Sequence, residues 1–244
     1  MTGERLRVGV DVATMWTSPE APREQDAAAV ADVPDVAGWL GALTLEGRLG
    51  LHGRTLTQLL HDEPVEVLEE AGDWVKVVAP WQPDKADERG YPGWVRRAHL
   101  REPAEGDPDV PAAGSAADRI SIMESGRDHL GLPYLWGGTS PAGLDCSGLV
   151  HHSYRRAGVV VPRDADVQQA AAAPVAIGEE QPGDLYFFGD PETGVITHVG
   201  FVTGERRMLH APEDAGDPGA GVIEDVPLSD SLASRLLYVG RFLA

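Results

Sequence analysis

The sequence is short of three things, and each shortage excludes something. It holds one cysteine in 244 residues, Cys146. A lone cysteine forms no intramolecular disulfide and makes no Cys-rich zinc site, so its role is packing, redox or nucleophilic chemistry. There is no run of about 18 apolar residues, the length a membrane-spanning helix needs. Basic residues are scarce as well: 20 Lys and Arg stand against 39 Asp and Glu, a formal net charge of −19. A field of that sign repels nucleic acid, anionic lipid and anionic wall polymers, so neither a nucleic acid nor a membrane is expected as partner. The acidic surplus serves either solubility or a preference for substrates bearing a free amine, and composition does not choose between them. The first ten residues, Met1 to Val10, also lack an apolar core and a small-residue cleavage site. With the single cysteine, this points to the cytoplasm, or to secretion if a leader has been trimmed.

What is present divides the chain in two. Residues 1–103 are rich in short β-forming runs: 8–16, 56–60, 63–68, 74–78 and 90–95. Residues 69–73 read as a hairpin connection, and 17–40 as a long loop with a short helical piece. Strands at this spacing suggest a small β-barrel. Trp74 and Trp94 read as its core. Tyr91 lies between Gly90 and Pro92, in a loop where the proline restricts its backbone. Residues 104–115 carry Pro, Ala, Gly and acid without apolar period, and read as a linker. In 116–244, helical patterns come first and alternating strands follow, which indicates an α+β fold.

The chemistry centres on Asp145-Cys146-Ser147-Gly148, where a glycine-rich loop runs into an amphipathic helix. Asp145 is a natural N-cap, which puts Cys146 in the first turn. The free N–H groups and helix dipole there favour thiolate over thiol. A cysteine nucleophile needs a base and the base an orienter. His151 and His152 follow Cys146 on its own helix and read as structural, and His129 as a helix cap. His198 and His210 lie on adjacent strands. A three-residue hairpin centred on Gly204 places them directly opposite, on one face, where one imidazole holds the other.

Four segments then carry a resemblance: Tyr134-Leu135-Trp136-Gly137-Gly138, Asp145-Cys146-Ser147-Gly148-Leu149-Val150, Pro182-Gly183-Asp184-Leu185 and Thr197-His198-Val199-Gly200. In this order they resemble the NlpC-type cell-wall cysteine peptidases, which are papain-like. In the first half, the segments 72–77 and 90–95 resemble a bacterial SH3-like domain. The resemblance implies an SH3-like barrel followed by an NlpC-type catalytic domain. It implies Cys146 as nucleophile, His198 as base, His210 as orienter and Tyr134 beside the developing oxyanion, with no cofactor and no metal.

Within the family, the chain resembles the dipeptidyl-peptidase branch. That implies cleavage of the γ-D-glutamyl–diamino acid bond in short murein stem peptides, L-Ala-γ-D-Glu-diamino acid, by a monomer engaged in wall-peptide recycling. Asp164 and Tyr91 would close on the substrate amine. Asp145 and Ser147 would hold the D-glutamyl carboxylate, and Glu63 is placed as a second acid toward the amine. Asp164 reads equally as the N-cap of a following helix, and Arg163 either pairs with an acid or faces solvent. The chain departs from the branch in showing one SH3-like unit and in carrying Ala165 where a hydroxyl is common. A secreted DL-endopeptidase, an acyltransferase and a wall-peptide binding protein with an inactive catalytic domain remain as alternatives.

Overall fold

The computed structural model describes residues 3–114, 117–213 and 221–243. The first unit is an antiparallel sheet of seven strands: β1 (Arg5–Val8), β2 (Val12–Trp16), β3 (Thr55–Leu60), β4 (Pro64–Ala71), β5 (Trp74–Ala79), β6 (Tyr91–Arg96) and β7 (Leu100–Arg101). Their order is β3-β2-β6-β5-β4-β1-β7. β1 and β2 follow one another in the chain yet sit four places apart in the sheet. Four Cα steps reach at most about 14 Å, whereas four flat strand spacings span about 19 Å. The sheet must therefore curl. It does not close into the expected barrel, because its β3 edge is engaged elsewhere: Gln58 O and Oε1 accept from Thr139 Oγ1 (2.9 Å) and Thr139 N (3.2 Å) of the second half.

Two aromatic expectations are corrected here. Trp74 and Trp94 are half-buried rather than core. Trp74 stacks under the Arg96 guanidinium, 5.6 Å from its ring centroid, and Trp94 pairs with Trp16 across β2 and β6. The core positions belong instead to Leu6, Val8, Val65, Val67, Val75 and Val77.

Between β2 and β3, where a long loop with a short helical piece was expected over 17–40, lie three short helices: α1 (Ala27–Val30), α2 (Val36–Ala42) and α3 (Leu45–Leu49). Asp35 and Thr44 cap the last two by accepting from Gly38 N and Gly47 N. They bury Trp39 against Trp16, with Leu40 and Leu135 in the same cluster. Leu135 belongs to the glycine-rich loop before Cys146, so this insertion is packed under that loop.

The second half begins with α4 (Arg119–Arg127), the two-stranded ribbon β8 (Thr139–Ser140) and β9 (Gly143–Leu144), α5 (Cys146–Arg156) and α6 (Ala165–Ala171). A six-stranded antiparallel sheet follows: β10 (Ala173–Val175), β11 (Leu185–Gly189), β12 (Ile196–Gly204), β13 (Arg207–His210), β14 (Glu224–Pro227) and, after α7 (Asp230–Ala233), β15 (Leu236–Arg241). Its order is β10-β15-β11-β12-β13-β14. The apolar stripe Leu149, Val150 and Tyr154 of α5 packs on Phe187, Val199, Phe201 and Leu209 of the sheet. Burying a side chain of that size contributes about 1.5–3 kcal/mol. The helix carrying Cys146 is thereby fixed against the strand carrying His198.

The two halves are fastened by polar side chains. Glu63 is fully buried: it accepts from Leu60 N (3.0 Å) and Gln82 Nε2 (2.9 Å) and is ion-paired with Arg155 of α5. This corrects its expected role, since a carboxylate engaged on both oxygens beneath the interface is closed to a substrate amine. The expected linker, 104–115, is tied back as well. Asp107 pairs with Arg101 (2.6 Å) and Gly114 N donates to Arg156 O (2.6 Å).

Candidate active site

Cys146 opens α5 as expected, and Asp145 caps it by accepting from Gly148 N at 2.6 Å. Gly148 is required there by close approach: a Cβ on it would stand 2.0 Å from Gly138 O. The glycine-rich loop can thus lie against the helix start.

Asp145 does more than cap. Oδ2 accepts from Gly137 N (2.9 Å) and Arg163 Nη2 (2.5 Å), while Oδ1 also takes Arg163 Nη1 (3.0 Å) and Ser147 Oγ (3.2 Å). Both oxygens are filled by protein donors, so Asp145 organises the loop rather than presenting a free carboxylate to a ligand. Arg163 is its counterpart, 1% exposed, and also donates to Ser147 Oγ (2.8 Å) and to Thr57 Oγ1 (2.8 Å) on β3. Of the two sequence readings of Arg163, the pairing one holds and the solvent-facing one does not.

Cys146 is buried at the floor of a cleft of about 540 Å³. Its walls include Tyr91, Tyr134, Ser147, Asp164 and His198. Burial, with the Asp145 carboxylate adjacent, pushes the thiol up to about 12, against the pull of the Val199 and Ser147 N–H groups. The helix position alone therefore does not yield the expected thiolate: desolvation outweighs the helix-end donors. Burial and the neighbouring Cys146 and Asp145 also hold the Tyr134 phenol well above its ordinary value, so it remains a hydrogen-bond donor.

The histidine pair forms, although not in the expected register. Phe201 lies opposite Leu209 and Val202 opposite Met208, which carries His210 across from Gly200, two residues from His198. A two-residue slip keeps both on one face, as diagonal neighbours. Gly200 makes the diagonal possible, because a Cβ there would stand 3.0 Å from His210 Cβ and 2.5 Å from Met208 Cε. His198 Nε2 and His210 Nδ1 are 2.8 Å apart. Burial lowers the basicity of His198, to about 3, with His210 and Arg235 adding to the effect. The resting pair is thus a neutral thiol and a neutral imidazole.

The tautomers follow from this chain of contacts. For His198 to accept a proton from the thiol through Nδ1, its proton must sit on Nε2 and be donated to His210 Nδ1. The His210 proton must then sit on Nε2, which lies 3.3 Å from Glu224 Oε1. Glu224 is directly opposite His210 across β13 and β14. At that distance the carboxylate acts on the pair by its charge, without a well-formed hydrogen bond, and favours the imidazolium that forms during reaction. Sequence reasoning missed Glu224, since only the β13–β14 register reveals it.

Also lining the cleft, the Tyr91 hydroxyl donates to Asp164 Oδ2 at 2.9 Å. Tyr91 is the buried first residue of β6, not a loop residue as expected. Asp164 occupies the N-cap position of α6, yet its side chain makes no capping bond, which removes that reading of its carboxylate. Burial raises its pKa, with Arg163 and the Tyr91 hydroxyl pulling the other way. Asp145, Arg163 and Asp164 together leave one uncompensated negative charge. His151 and His152 are buried away from the thiol. His151 Nδ1 contacts Val161 O (3.0 Å), and the His152 ring packs edge-on against His129 (4.9 Å).

The chain is similar to known proteins in sequence and in fold. Residues 131–218 match the NlpC/P60 family. The chain is 33% identical to a γ-D-glutamyl-L-lysine dipeptidyl-peptidase of Bacillus subtilis (strain 168), over 94% of this chain and 96% of that protein. The chain belongs to the NlpC/P60 family. A second relative of the same description, from Bacillus cereus (strain ATCC 10987), is 29% identical over 84% of this chain and 82% of its own. The crystal structure of an NlpC/P60 family protein from Bacillus cereus ATCC 10987 has a TM-score of 0.88 to this fold at 25% identity, covering 99% of this chain and 100% of that one. A bifunctional muramidase/DL-endopeptidase of Bacillus subtilis is 41% identical, but over only 43% of this chain and 32% of that protein. As an NlpC/P60 member the protein is a cysteine peptidase.

Proposed function

We propose that the protein hydrolyses the γ-D-glutamyl–diamino acid bond of short murein stem peptides whose N-terminal L-alanine is free. The observation that carries this reading is the Tyr91–Asp164 contact at one end of the cysteine cleft. A half-buried carboxylate with one hydroxyl donor and a surplus negative charge around it gains an ammonium partner when such a peptide binds. An acylated or sugar-linked stem would leave it unpaired, at a cost of about 1–3 kcal/mol or more.

In this reading Cys146 Sγ attacks the γ-carbonyl carbon as its proton passes to His198 Nδ1. The developing oxyanion is held by the Tyr134 hydroxyl and the Cys146 N–H. The C–N bond breaks as the His198 imidazolium protonates the leaving amine. Water, deprotonated by His198, then cleaves the thioester and restores the thiol. Ser147, backed by Arg163, is the partner for the D-glutamyl carboxylate. The curled first sheet, residues 1–103, is an SH3-like unit that roofs the catalytic domain, 116–244, and admits only short peptides. A monomer acting in the cytoplasm on recycled wall peptides fits a site closed at the amine end.

The test is hydrolysis of L-Ala-γ-D-Glu-L-Lys beside its N-acetylated form and intact sacculi. Release of L-Ala-γ-D-Glu from the free peptide alone is expected. Activity confined to sacculi would instead favour a wall endopeptidase, and no turnover of any of the three would favour a binding protein.

A further inference from the structure

Two buried ion pairs hold the nucleophile helix, one at each end. Arg155, in the last turn of α5, pairs with Glu63 of the first half, and Asp145, the N-cap, pairs with Arg163. Two neutral side chains of the first half join one pair to the other. Gln82, in the loop after β5, donates from Nε2 to Glu63 Oε1 (2.9 Å), and its Oε1 accepts from Thr57 Oγ1 of β3 at 2.7 Å. Thr57 Oγ1 in turn accepts from Arg163 Nε at 2.8 Å. Glu63, Gln82, Thr57 and Arg163 are all fully buried, so bulk water does not screen these contacts.

The direction of each hydrogen bond in this chain is forced. The Glu63 carboxylate, paired with Arg155, only accepts, so the Gln82 amide must present Nε2 to it. The second Nε2 hydrogen goes to Gln58 O (2.8 Å), and Gln82 Oε1 is left facing Thr57. A threonine hydroxyl has one hydrogen. Its nearest acceptor is Gln82 Oε1, with Gln58 O well behind at 3.5 Å. The Thr57 lone pairs then face Arg163 Nε, which only donates. The rest of the guanidinium lies on Asp145 (3.0 Å from Nη1, 2.5 Å from Nη2) and on Ser147 Oγ (2.8 Å). Glu63 thus decides, through two side chains that it orients, how a cation sits beside the residues flanking Cys146. That cation matters to the thiol: the Asp145 carboxylate pushes it up and the Arg163 guanidinium pulls it down. The other titratable groups lining the cleft are Tyr91, Tyr134, Asp164, Asp166, His198 and Glu213, and a substitution at Thr57 changes the charge of none of them.

We propose that Thr57 and Gln82 are positioning residues for the nucleophile: together they hold Arg163 against Asp145 and Ser147, so that the first half of the chain, besides covering the cleft, fixes both ends of the helix that carries Cys146. A cover needs only bulk at residue 57. A positioning residue needs the hydroxyl, which accepts from Arg163 and donates to Gln82 at once. The role concerns the thiol and is independent of which peptide is cleaved.

The test compares Thr57→Val with Thr57→Ser in the full-length protein. The readouts are iodoacetamide alkylation of Cys146 in mildly alkaline buffer without substrate, and kcat/KM on L-Ala-γ-D-Glu-L-Lys. Valine keeps the shape of threonine but offers Arg163 no acceptor and Gln82 no donor; serine offers both. In Thr57→Val alkylation should slow by about three- to tenfold, because Asp145 is less well offset at the thiol, and kcat/KM should fall with it. Thr57→Ser should recover most of both. A general loosening of the fold would instead expose the buried thiol and speed its alkylation, so the sign of the change separates positioning from structural damage. Alkylation of folded Thr57→Val at the parent rate or faster would overturn the proposal, as would Thr57→Ser being slowed as much as Thr57→Val. If Thr57→Val does not fold, Thr57→Ala is judged against Thr57→Ser by the same criteria. If the tripeptide is not cleaved even by the parent protein, that counts against the proposed substrate, and the alkylation rates alone decide the role of Thr57.

Discussion

Tyr91 Oη donates to Asp164 Oδ2 at 2.9 Å, across 73 residues of sequence and from one half of the fold to the other. Neither residue is free to do otherwise. Tyr91 is locked in β6 opposite Ala79 of β5, and Asp164 follows the fully buried Arg163. The pair makes this wall of the cleft a property of both halves. Asp164→Asn should raise KM for the free-amine tripeptide about ten- to a hundredfold, since a charged hydrogen-bond partner is lost. It should also reduce the preference over the N-acetylated peptide. Tyr91→Phe should do the same more weakly. Steady-state kinetics on the two peptides measures both, and an unchanged preference in Asp164→Asn would remove the amine role.

The neutral thiol–imidazole pair has a pH signature. With the thiol pushed up to about 12, the fraction of thiolate near neutrality is small in the absence of substrate. Alkylation of Cys146 by iodoacetamide should therefore be slow at pH 7 and climb steadily into the alkaline range, with no plateau between pH 6 and 9, where an activated ion pair would show one. Conversely, His198 is held down to about 3, so it stays unprotonated and competent as a base through mildly acidic pH. Loss of kcat/KM near pH 6.5, the ordinary value for histidine, would contradict this.

Glu224 should act through the charge it sets beside His210. Replacing it with Gln removes the negative charge that favours the imidazolium, while the amide can offer either its oxygen or its nitrogen to His210 Nε2. A fall in kcat of about tenfold or more with little change in KM is expected. Glu224→Asp should recover part of it. The imidazole nitrogen chemical shifts of His198 and His210, measured in the folded variant, separate a tautomer change from a general loss of structure.

Arg163 should govern stability more than specificity. Arg163→Ala leaves Asp145 buried without its cation and strips Thr57 and Ser147 of a donor, which should cost about 3–5 kcal/mol. Arg163→Lys keeps the charge but not the two-pronged contact, and should recover only part. Denaturant unfolding of the three proteins tests this. An Arg163→Ala protein as stable as the parent would show that the buried cluster does not hold the two halves together.

The sequence by itself determined the parts with a local cause. Asp145, Cys146 and Gly148 specify a capped helix start, and the alternation around His198 specifies a strand. The hairpin returns His210 to the same face. Even a register misjudged by two residues leaves that outcome intact, because side chains repeat every second residue. Tertiary structure alone decided what depends on distant segments meeting. Whether Arg163 is buried depends on Thr57, more than a hundred residues earlier in the chain. Whether Glu63 faces a ligand or an arginine depends on where Arg155 of α5 comes to lie. Tyr91 reads as a loop residue until the curl of the first sheet places it over Asp164. The level of the thiol was likewise not local. The helix position is written in four residues, but the burial that outweighs it is made by the interior packed around Cys146, with the Asp145 charge adding to it. Buried charge and desolvation are properties of the assembled interior, and no short segment carries them.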